Sequence, residues 1–450
     1  MSHLSVAKFG GTSVANYPAM QSCANIVIAD PNTRVVVLSA SAGVTNLLVA
    51  LANGCEEPER NKLLNEVRQI QENILTELKD DSRVRPKIEA LLANITSLAE
   101  AANLATSLAL TDELISHGEM MSSLIFVEVL RELQIEATWL DVRTIVATNS
   151  HFGKAAPNDE QTRQNCDNLL KPLIERGELV ITQGFIGRDE QGKTTTLGRG
   201  GSDYSAALLA EVLNAQDVLI WTDVAGIYTT DPRIVSNAQR IDTMSFSEAA
   251  EMATFGAKVL HPATLLPAVR SNIPVYVGSS KAPQEGGTWV TRNPQPRPTF
   301  RAIALRRDQT LLTLSSLNML YAQGFLANIF TILAKHKISV DTITTSEVSV
   351  ALTLDKTGSA SSGKSLLSQE LIEELSQFCT VKVDTGLSLV ALIGNELHTA
   401  SGVAKRIFET LDAYNIRMIS YGASTNNICL LADSDKADDI VRSLHRSLFE

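Results

Sequence analysis

A chain of 450 residues is too long for one ordinary hydrophobic core, so we expect two or three domains. Apolar residues make up 44% and charged residues 20% of the sequence, a balance typical of globular rather than disordered proteins. The 39 Lys and Arg residues stand against 50 Asp and Glu, and the net charge of −11 disfavours nucleic acid as a partner. No apolar run approaches the roughly 20 residues of a membrane-spanning helix, so no membrane association is expected.

The cysteines and the N-terminus indicate a reducing compartment. The chain enters a strand-like segment at Leu4–Phe9 without the basic start and apolar region of a signal peptide. No CxxC pair and no Cys/His group at metal-ligand spacing is present, so free thiols are expected rather than disulfides or zinc. We therefore expect a cytoplasmic protein. The five scattered cysteines are Cys23, Cys55, Cys166, Cys379 and Cys429.

Short β-branched segments alternate with helical periodicity over residues 1–280. This pattern predicts a mostly parallel α/β sheet with helices on both faces. Residues 56–132 carry no strand signal and are predicted as a helical insertion, whose last helix begins with Thr111 as its N-cap. The predicted strands are Leu4–Phe9, Arg34–Ala40, Ala137–Val142, Leu179–Phe185, Asp217–Val224 and Pro274–Ser280.

The C-terminal third contains an internal repeat. A shift of 78 residues, which sets Gly324 over Gly402, aligns the apolar positions, and each copy follows a ferredoxin-like β-α-β-β-α pattern. Chance similarity of two amphipathic helices would not align the strands as well. A Pro- and Gly-rich segment at 282–298, with one short edge strand around Thr288–Thr291, precedes the repeat. The predicted domains are a catalytic domain at 1–295, a linker at 296–309, and regulatory repeats at 310–386 and 387–450.

Gly187–Thr194 matches the GxxxxGK[ST] pattern of a P-loop, but we interpret it as a hairpin turn. A P-loop is followed at once by a helix whose first amides hold phosphate, whereas Gly200 and Gly201 interrupt that stretch here. Asp189 and Glu190 would also place negative charge in the phosphate cradle. A P-loop NTPase is therefore a weak alternative.

Three turns rich in glycine and hydroxyl groups follow predicted strands. Lys8 precedes a glycine pair, and a buried lysine needs an anion, which favours a phosphate site over an edge lysine that reaches solvent. Residues 39–45 end the second strand in the same way. Residues 196–203 supply Arg199, whose fork suits a carboxylate, and Asp203, which can hold Lys8 or a metal. Because open α/β sheets bind ligands at strand carboxyl ends, the three turns predict one site.

These turns resemble motifs of the aspartokinase family, of the amino-acid-kinase fold. The resemblance covers the whole chain, and the repeat is similar to a pair of ACT domains. TTSEVSVALTLD at Thr344–Asp355 is similar to the lysine-sensitive, single-function members. The family motifs are KFGGTSV at Lys8–Val14, SASAG at Ser39–Gly43, TLGRGGSD at Thr196–Asp203, WTDVAGIYTTDPR at Trp221–Arg233 and FGAKVLHP at Phe255–Pro262. The resemblance implies ATP-dependent phosphorylation of the β-carboxylate of L-aspartate to 4-phospho-L-aspartate, the first step towards lysine, threonine and methionine.

The resemblance also implies roles for single residues. Lys8, Arg199 and Asp203 are implied as catalytic, with Asp203 organising Lys8 at the phosphate site. Arg199 would bind the α-carboxylate of aspartate and Glu119 its ammonium, although Glu119 taken alone could be a solvated helix acid. The residues implied for aspartate are Thr45, Glu119, Arg199 and Ser202. The residues implied for ATP are Lys8, Phe9, Gly10, Gly11, Thr222, Asp223, Tyr228, Arg233, Lys258 and Val259.

The implied reaction needs no general base. A β-carboxylate, with a reference pKa of about 3.9, is already ionised at neutral pH and can attack the γ-phosphorus directly. His117 is accordingly predicted to be a packing residue. We expect Mg²⁺ to arrive with ATP, held mainly by the nucleotide phosphates, and no metal site made by the protein.

An inhibitor site for L-lysine is predicted in the first repeat, the ligand being implied by the resemblance. It would lie between the loop at Met319–Leu326 and the strand start at Ser339–Asp341. Asp341 would hold the ammonium of the ligand, and the helix amides after Gly324 would bind the carboxylate of the ligand. The alternative is that Asp341 is only a turn residue. The second copy has Ile419 at the position of Asp341, so only the first is expected to bind lysine. The predicted set is Met319, Gly324, Phe325, Leu326, Ser339, Val340, Asp341, Thr345 and Ser346.

Two other functions stay open at this point. A kinase of the same fold acting on glutamate or acetylglutamate is disfavoured by KFGGTSV and by the tandem repeat. A catalytically inactive amino-acid sensor would have lost the charged set, yet Lys8, Arg199 and Asp203 are all present. The half-exposed sheets of the repeats are expected to pair with each other or in a homodimer or larger assembly.

Overall fold

The computed structural model describes residues 3–256, 260, 265–319, 323–355 and 367–450. The chain forms two compact units. The first comprises Met1–Ile227, Arg240–Ala250 and Lys258–Gln295, and the second comprises Tyr228–Gln239, Glu251–Ala257 and Pro296–Glu450. Within the described ranges, no helix is long and apolar enough to cross a membrane.

An eight-stranded sheet is the centre of the first unit. Its strands are β1 Ser5–Phe9, β2 Thr33–Leu38, β3 Ala137–Trp139, β4 Leu179–Gln183, β7 Asp217–Thr222, β8 Thr243–Ser245, β9 Val275–Ser279 and β10 Gly287–Thr291. They lie in the order β3-β4-β2-β1-β7-β9-β10-β8, and all neighbours are parallel except β9 and β10. β1 and β2 are buried almost throughout, as expected of parallel strands covered by helices.

The helices of the first 295 residues include the predicted insertion, which is helical as expected. They are α1 Tyr17–Ala29, α2 Val44–Ala52, α3 Glu57–Leu75, α4 Arg85–Leu104, α5 Leu108–Glu132, α6 Asp159–Asn165, α7 Lys171–Glu175, α8 Gly201–Leu213, α9 Phe246–Thr254 and α10 Leu266–Ser271. The predicted cap of α5 is wrong. Ser107 is the N-cap, since its hydroxyl accepts from the Leu110 amide, while the Thr111 hydroxyl donates to the Ser107 carbonyl inside the first turn.

Two local predictions have opposite outcomes. The P-loop-like segment is a hairpin of β5 Ile186–Arg188 and β6 Thr194–Thr196, and the Asp189 carboxylate accepts the Lys193 amide across its turn, which confirms the interpretation. The strand at residues 287–291 exists as β10, but it is not an edge strand. β8 pairs with its outer side, and this three-residue strand was too short to predict.

A six-stranded antiparallel sheet is the centre of the second unit. Its elements are β11 Phe300–Ser315, α11 Phe325–Lys335, β12 Ser339–Thr345, β13 Ser349–Asp355, α12 Gln369–Ser376, β14 Thr380–Gly394, α13 Val403–Thr410, β15 Ile416–Tyr421, β16 Asn427–Asp433 and α14 Ala437–Phe449. The strand order is β12-β13-β11-β14-β16-β15. The predicted class, a mostly parallel α/β domain followed by ferredoxin-like repeats, is confirmed.

The repeat is visible in the elements. Gly324 and Gly402 each precede the first helix of a copy, with φ of 82° and 81°. The shift of 78 residues also relates β13 to β16. It does not reach the last helix, because α14 begins at Ala437, ten residues earlier than the shift from Gln369 predicts. The two copies pair with each other through β11 and β14.

β11 contributes to two hydrophobic cores. Phe300 and Ile303, near its start, pack with side chains of the second copy, such as Val390. Leu312 and Leu314, near its end, pack with side chains of the first copy, including Ile329 of α11. Residues 300–309 of the predicted linker are therefore strand.

Candidate active site

A cleft of about 640 Å³ lies in the first unit, at the carboxyl ends of β1, β2, β4 and β7 and at the start of α8. The cleft brings together the three turns that the sequence analysis singled out. The residues that line it are Lys8, Gly10, Gly11, Thr12, Ser39, Ala40, Ser41, Ala42, Gly43, Thr45, Leu108, Thr111, Asp112, Ile115, Glu119, Gly153, Phe185, Thr196, Gly198, Arg199, Gly200, Gly201, Ser202, Asp203 and Thr222.

Lys8 is a buried cation held in the centre of the sheet. It stands on β1, opposite Val37 of β2 and Ile220 of β7. Its Nζ lies 2.6 Å from Oδ1 of Asp203, and the two side chains are 11% and 15% exposed. A lysine at such a position needs an anionic partner, which Asp203 supplies from the first turn of α8. Asp203 thereby holds the Lys8 ammonium in place at the floor of the cleft.

The two glycines after Lys8 have different surroundings. A Cβ on Gly11 would lie 2.8 Å from the Ala40 carbonyl oxygen, so the turn after β1 packs directly on the turn after β2. A Cβ on Gly10 would meet nothing closer than 3.6 Å. The Gly10 amide donates to the Trp221 carbonyl at 3.0 Å, so this amide is engaged by the end of β7. Gly11 begins a short 3₁₀ turn, where amides lack intrahelical acceptors.

One face of α5 forms a wall of the cleft. Leu108, Asp112, Ile115 and Glu119 follow helical spacing and all line it. Glu119 is 3% exposed, and its Oε2 has no hydrogen-bond partner among the described residues. Burial raises the pKa of Glu119 to about 8, against the smaller lowering effect of the Ala40 amide.

Close approach of α5 to the sheet depends on Gly118. A Cβ at this position would lie 2.7 Å from the Ala40 Cβ, so a larger residue would move the helix. Ser41, in the turn after β2, also has a buried hydroxyl without a partner in the described part of the chain. Two buried polar groups without partners in one cleft are expected of a site that a polar ligand completes.

Arg199 projects from a turn of glycines at the start of α8. Gly198 and Gly200, on either side, have φ of 77° and 74°, a region that favours glycine. Arg199 is exposed and Ser202 is half-buried. A Cβ on Gly184 would lie 2.6 Å from the Ser202 Cβ, so this glycine lets β4 approach the turn.

Phe185 and Asp112 are two lining residues of this cleft that sequence reasoning missed. Phe185 has φ of 72°, which is unusual for a bulky residue, and its amide donates to the Ser205 hydroxyl. Asp112 is 1% exposed and accepts three hydrogen bonds. Asp112 could have been found from its spacing of seven residues to Glu119 on one helix face, whereas no sequence signal marks the conformation of Phe185.

Only some of the residues predicted for ATP line this cleft. Thr222 lines the cleft and donates to the carboxylate of the exposed Asp223. Tyr228 and Arg233 belong to the second unit. The Arg233 side chain is 90% exposed and forms an ion pair with Asp231 at 2.6 Å. Lys258 and Val259 lie outside the described residues.

The residues predicted for lysine belong to the second unit. Asp341 lies on β12, and its Oδ2 is 2.8 Å from a guanidinium nitrogen of Arg306 on β11, a partner that the sequence did not reveal. Both side chains are largely buried, with 12% and 14% exposed. Gly324, Leu326, Thr345 and Ser346 are exposed, whereas Met319, Phe325, Ser339 and Val340 are half-buried.

Comparison with known proteins identifies the family. The Amino acid kinase family model matches residues 3–279, and an ACT domain model matches residues 390–448. The chain is 62% identical over 450 residues to lysine-sensitive aspartokinase 3 of Escherichia coli (strain K12), covering 100% of both. It is 35% identical to the chloroplastic aspartokinase 3 of Arabidopsis thaliana, covering 99% of this chain and 81% of that one.

Two solved structures agree with this result, each 61% identical and covering 100% of both chains. The structure of E. coli aspartokinase III in complex with aspartate and ADP matches with a TM-score of 0.89. The structure of the same enzyme in complex with lysine and aspartate matches with a TM-score of 0.88. The chain therefore belongs to the aspartokinase family, the aspartate kinases of the amino acid kinase fold.

Proposed function

We propose that the cleft of the first unit transfers the γ-phosphoryl group of ATP to the β-carboxylate of L-aspartate, giving 4-phospho-L-aspartate and ADP. The proposal rests on the presence, in one cleft, of the Lys8–Asp203 ion pair and of a buried Glu119 oxygen that has no hydrogen-bond partner in the part of the chain that the structure describes. An amino-acid kinase must supply a cation for the transferred phosphate and an anion for the substrate ammonium. The product enters the pathway to lysine, threonine and methionine.

The amino-acid head of the substrate is bound by opposite charges on two elements. Arg199, on the turn before α8, binds the α-carboxylate through its guanidinium fork. Glu119, on α5, binds the ammonium in its ionised form. The hydroxyl groups of Thr45 and Ser202 complete the substrate contacts. This arrangement leaves the β-carboxylate directed to the phosphate held by Lys8.

Transfer then depends on alignment and charge. The β-carboxylate is ionised at neutral pH and needs no general base. His117 is unsuited to that role, because it is buried, its Nδ1 lies 2.8 Å from the Glu113 carbonyl, and burial lowers its pKa. Lys8 stabilises the charge that develops on the transferred phosphoryl group, and Asp203 fixes its ammonium in place.

Mg²⁺ fits this cleft as an ion carried by the nucleotide. Across the residues that the structure describes, no three His, Cys, Asp or Glu side chains come together in a metal cage. Asp203 is a cleft carboxylate that could contact the ion, but it is engaged by Lys8. The phosphates of ATP would therefore supply most of the ligands, and the ion would neutralise their charge. The proposed nucleotide contacts are those of Phe9, Gly10, Gly11, Thr222, Asp223, Tyr228, Arg233, Lys258 and Val259.

Regulation is proposed to act through the second unit. Lysine would bind in the first repeat, where the Asp341 carboxylate would hold its ammonium group. It would inhibit by favouring an inactive conformation. The repeats would also form a homodimer or larger assembly in the cytoplasm. The proposed domains are a catalytic domain at 1–295 and regulatory repeats at 310–386 and 387–450, and the strand at residues 300–309 belongs to the regulatory part and not to a linker.

Trapping of the acyl phosphate with hydroxylamine tests the reaction. The enzyme is incubated with ATP and, in turn, with aspartate, glutamate and acetylglutamate, and the coloured hydroxamate is measured with and without lysine. We expect hydroxamate from aspartate alone, and inhibition by lysine. Faster product from glutamate or acetylglutamate would contradict the substrate, and no product from any of the three would favour the inactive sensor.

A further inference from the structure

Asp112 is a buried carboxylate with no place in the mechanism above. It lies in the second turn of α5 and is 1% exposed. Its Oδ2 accepts the amides of Gly153 and Thr196, both at 2.8 Å, and its Oδ1 accepts the Thr196 hydroxyl at 2.9 Å. One carboxylate therefore satisfies three donors from two other segments.

These three segments meet at the substrate side of the cleft. Gly153 belongs to the loop at residues 149–157, and Thr196 ends β6. The loop and the strand are also joined directly, since the Ala155 amide donates to the Thr196 carbonyl at 2.8 Å. A Cβ on Gly198 would lie 3.2 Å from the Gly153 carbonyl oxygen, so the loop also packs against Gly198, the residue before Arg199.

We propose that Asp112 is a positioning residue for recognition of the amino-acid head. It fixes the turn that carries Arg199 relative to the helix that carries Glu119, because Thr196 lies three residues before Arg199 and Asp112 lies two helical turns before Glu119. The inference rests on the proposed function of this cleft. Asp112 acts through the other two residues and does not itself touch the substrate.

The three hydrogen bonds to Asp112 require polar atoms at this position but not a negative charge. In an Asp112→Asn variant the amide oxygen can accept both backbone amides at the Oδ2 position. The amide nitrogen can donate to the Thr196 hydroxyl, which accepts as readily as it donates. Burial raises the pKa of Asp112, which agrees with a site that tolerates a neutral group. Asp112→Ala removes all three bonds, and Thr196→Val removes only the one to Oδ1.

Steady-state kinetics of the full-length enzyme test the proposal. We expect Asp112→Ala to raise KM for aspartate by about 10- to 100-fold, the effect of misplacing a binding group by about 1 Å, with KM for ATP within about twofold of wild type. Asp112→Asn should restore KM to near the wild-type value. Thr196→Val should cause a smaller rise than Asp112→Ala.

Asp189→Ala is the matched control. Asp189 is also buried and accepts three hydrogen bonds, from Ser150, Gln191 and Lys193, but it lies at the other end of the β5–β6 hairpin and does not line the cleft. We expect this variant to keep the wild-type KM for aspartate. An equal rise from Asp189→Ala would show that general loosening of the hairpin, and not Asp112, is responsible.

Two further measurements separate this inference from the proposed function. Amide hydrogen exchange should be faster in peptides 149–157 and 194–199 of Asp112→Ala and normal in Asp112→Asn, whatever the enzyme phosphorylates. Unchanged exchange would overturn the positioning role even if aspartate proved not to be the substrate. Equal KM defects in the Ala and Asn variants would overturn it as well, since they would indicate a charge in contact with the substrate. Additive effects of Asp112→Ala and Arg199→Lys in a double-mutant cycle would exclude action through Arg199.

Discussion

Aspartate binding should depend on pH through Glu119. Its carboxyl is buried, its Oε2 lacks a partner among the described residues, and burial raises its pKa to about 8. Only the ionised form can pair with the substrate ammonium. Below that pKa most free enzyme carries a neutral Glu119, and aspartate must bind to the ionised minority or expel the proton.

The pKa sets the size of the effect. For one titrating group with a pKa of about 8, the ionised fraction is roughly 3% at about pH 6.5 and roughly 75% at about pH 8.5. Apparent affinity falls in proportion to the competent fraction. KM for aspartate should therefore be ~25-fold higher at the lower pH, while ATP, which does not contact Glu119, should show no matching change.

Initial rates with ADP release coupled to a dehydrogenase, measured between these pH values, give both KM values. Calorimetry in buffers of different ionisation enthalpy should show that aspartate binding releases close to one proton at about pH 7. Glu119→Gln is the control, because its head group cannot titrate: KM for aspartate should be high and independent of pH. The reasoning fails if wild-type KM for aspartate is constant over this range, or if the Gln variant keeps the same pH dependence.

Three further predictions concern the floor of the cleft and the regulatory unit. Lys8→Ala should fold normally and lose about 10²–10³ in kcat at saturating substrates, so near-normal turnover would exclude its phosphate role. Gly11→Ala should destabilise the enzyme by about 1–3 kcal/mol in thermal unfolding, because its Cβ would lie 2.8 Å from a backbone carbonyl. Gly10→Ala is the matched comparison, since its φ of −72° suits alanine and nothing lies closer than 3.6 Å; an equal loss in both variants would contradict the packing argument. Asp341→Ala should abolish lysine inhibition and keep uninhibited activity, and calorimetry showing unchanged lysine binding would refute the site.

The sequence predicted the parts of the fold that depend on periodicity. The six strands predicted in the first 280 residues all exist, because β-branched, apolar segments have few other stable arrangements in a buried parallel sheet. The convergence of three turns was also predictable, since strand carboxyl ends meet at one edge. Lys8 and Asp203 confirm this: they are 195 positions apart and meet at 2.6 Å.

Features that depend on tertiary contact were not predictable. β8 has three residues and pairs with β10, a contact that its own short sequence does not reveal. Ser107 and Thr111 are both preferred cap residues, and the choice depends on where the α4–α5 connection ends. Asp112 looked like part of a helix start, and its three donors come from segments more than 40 residues away. Its spacing to Glu119 could have placed it on the cleft face of α5, but its role as a buried acceptor is recognised only when its donors are known.

Residues 300–309 were predicted as linker but form the first part of β11, a strand that contributes to the cores of both copies. The strand has two halves, separated by an irregularity between Arg306 and Gln309, where Asp308 has φ of 57°. Residues 300–306 carry Arg301 and Arg306 and follow a Pro-rich segment, which led to their prediction as linker, yet each half of the strand contributes to a different core. Arg306 stands at the junction and pairs with Asp341 of the first copy. A lysine that engaged Asp341 would have to share or displace this guanidinium, and its binding energy would then act on a strand that both copies share.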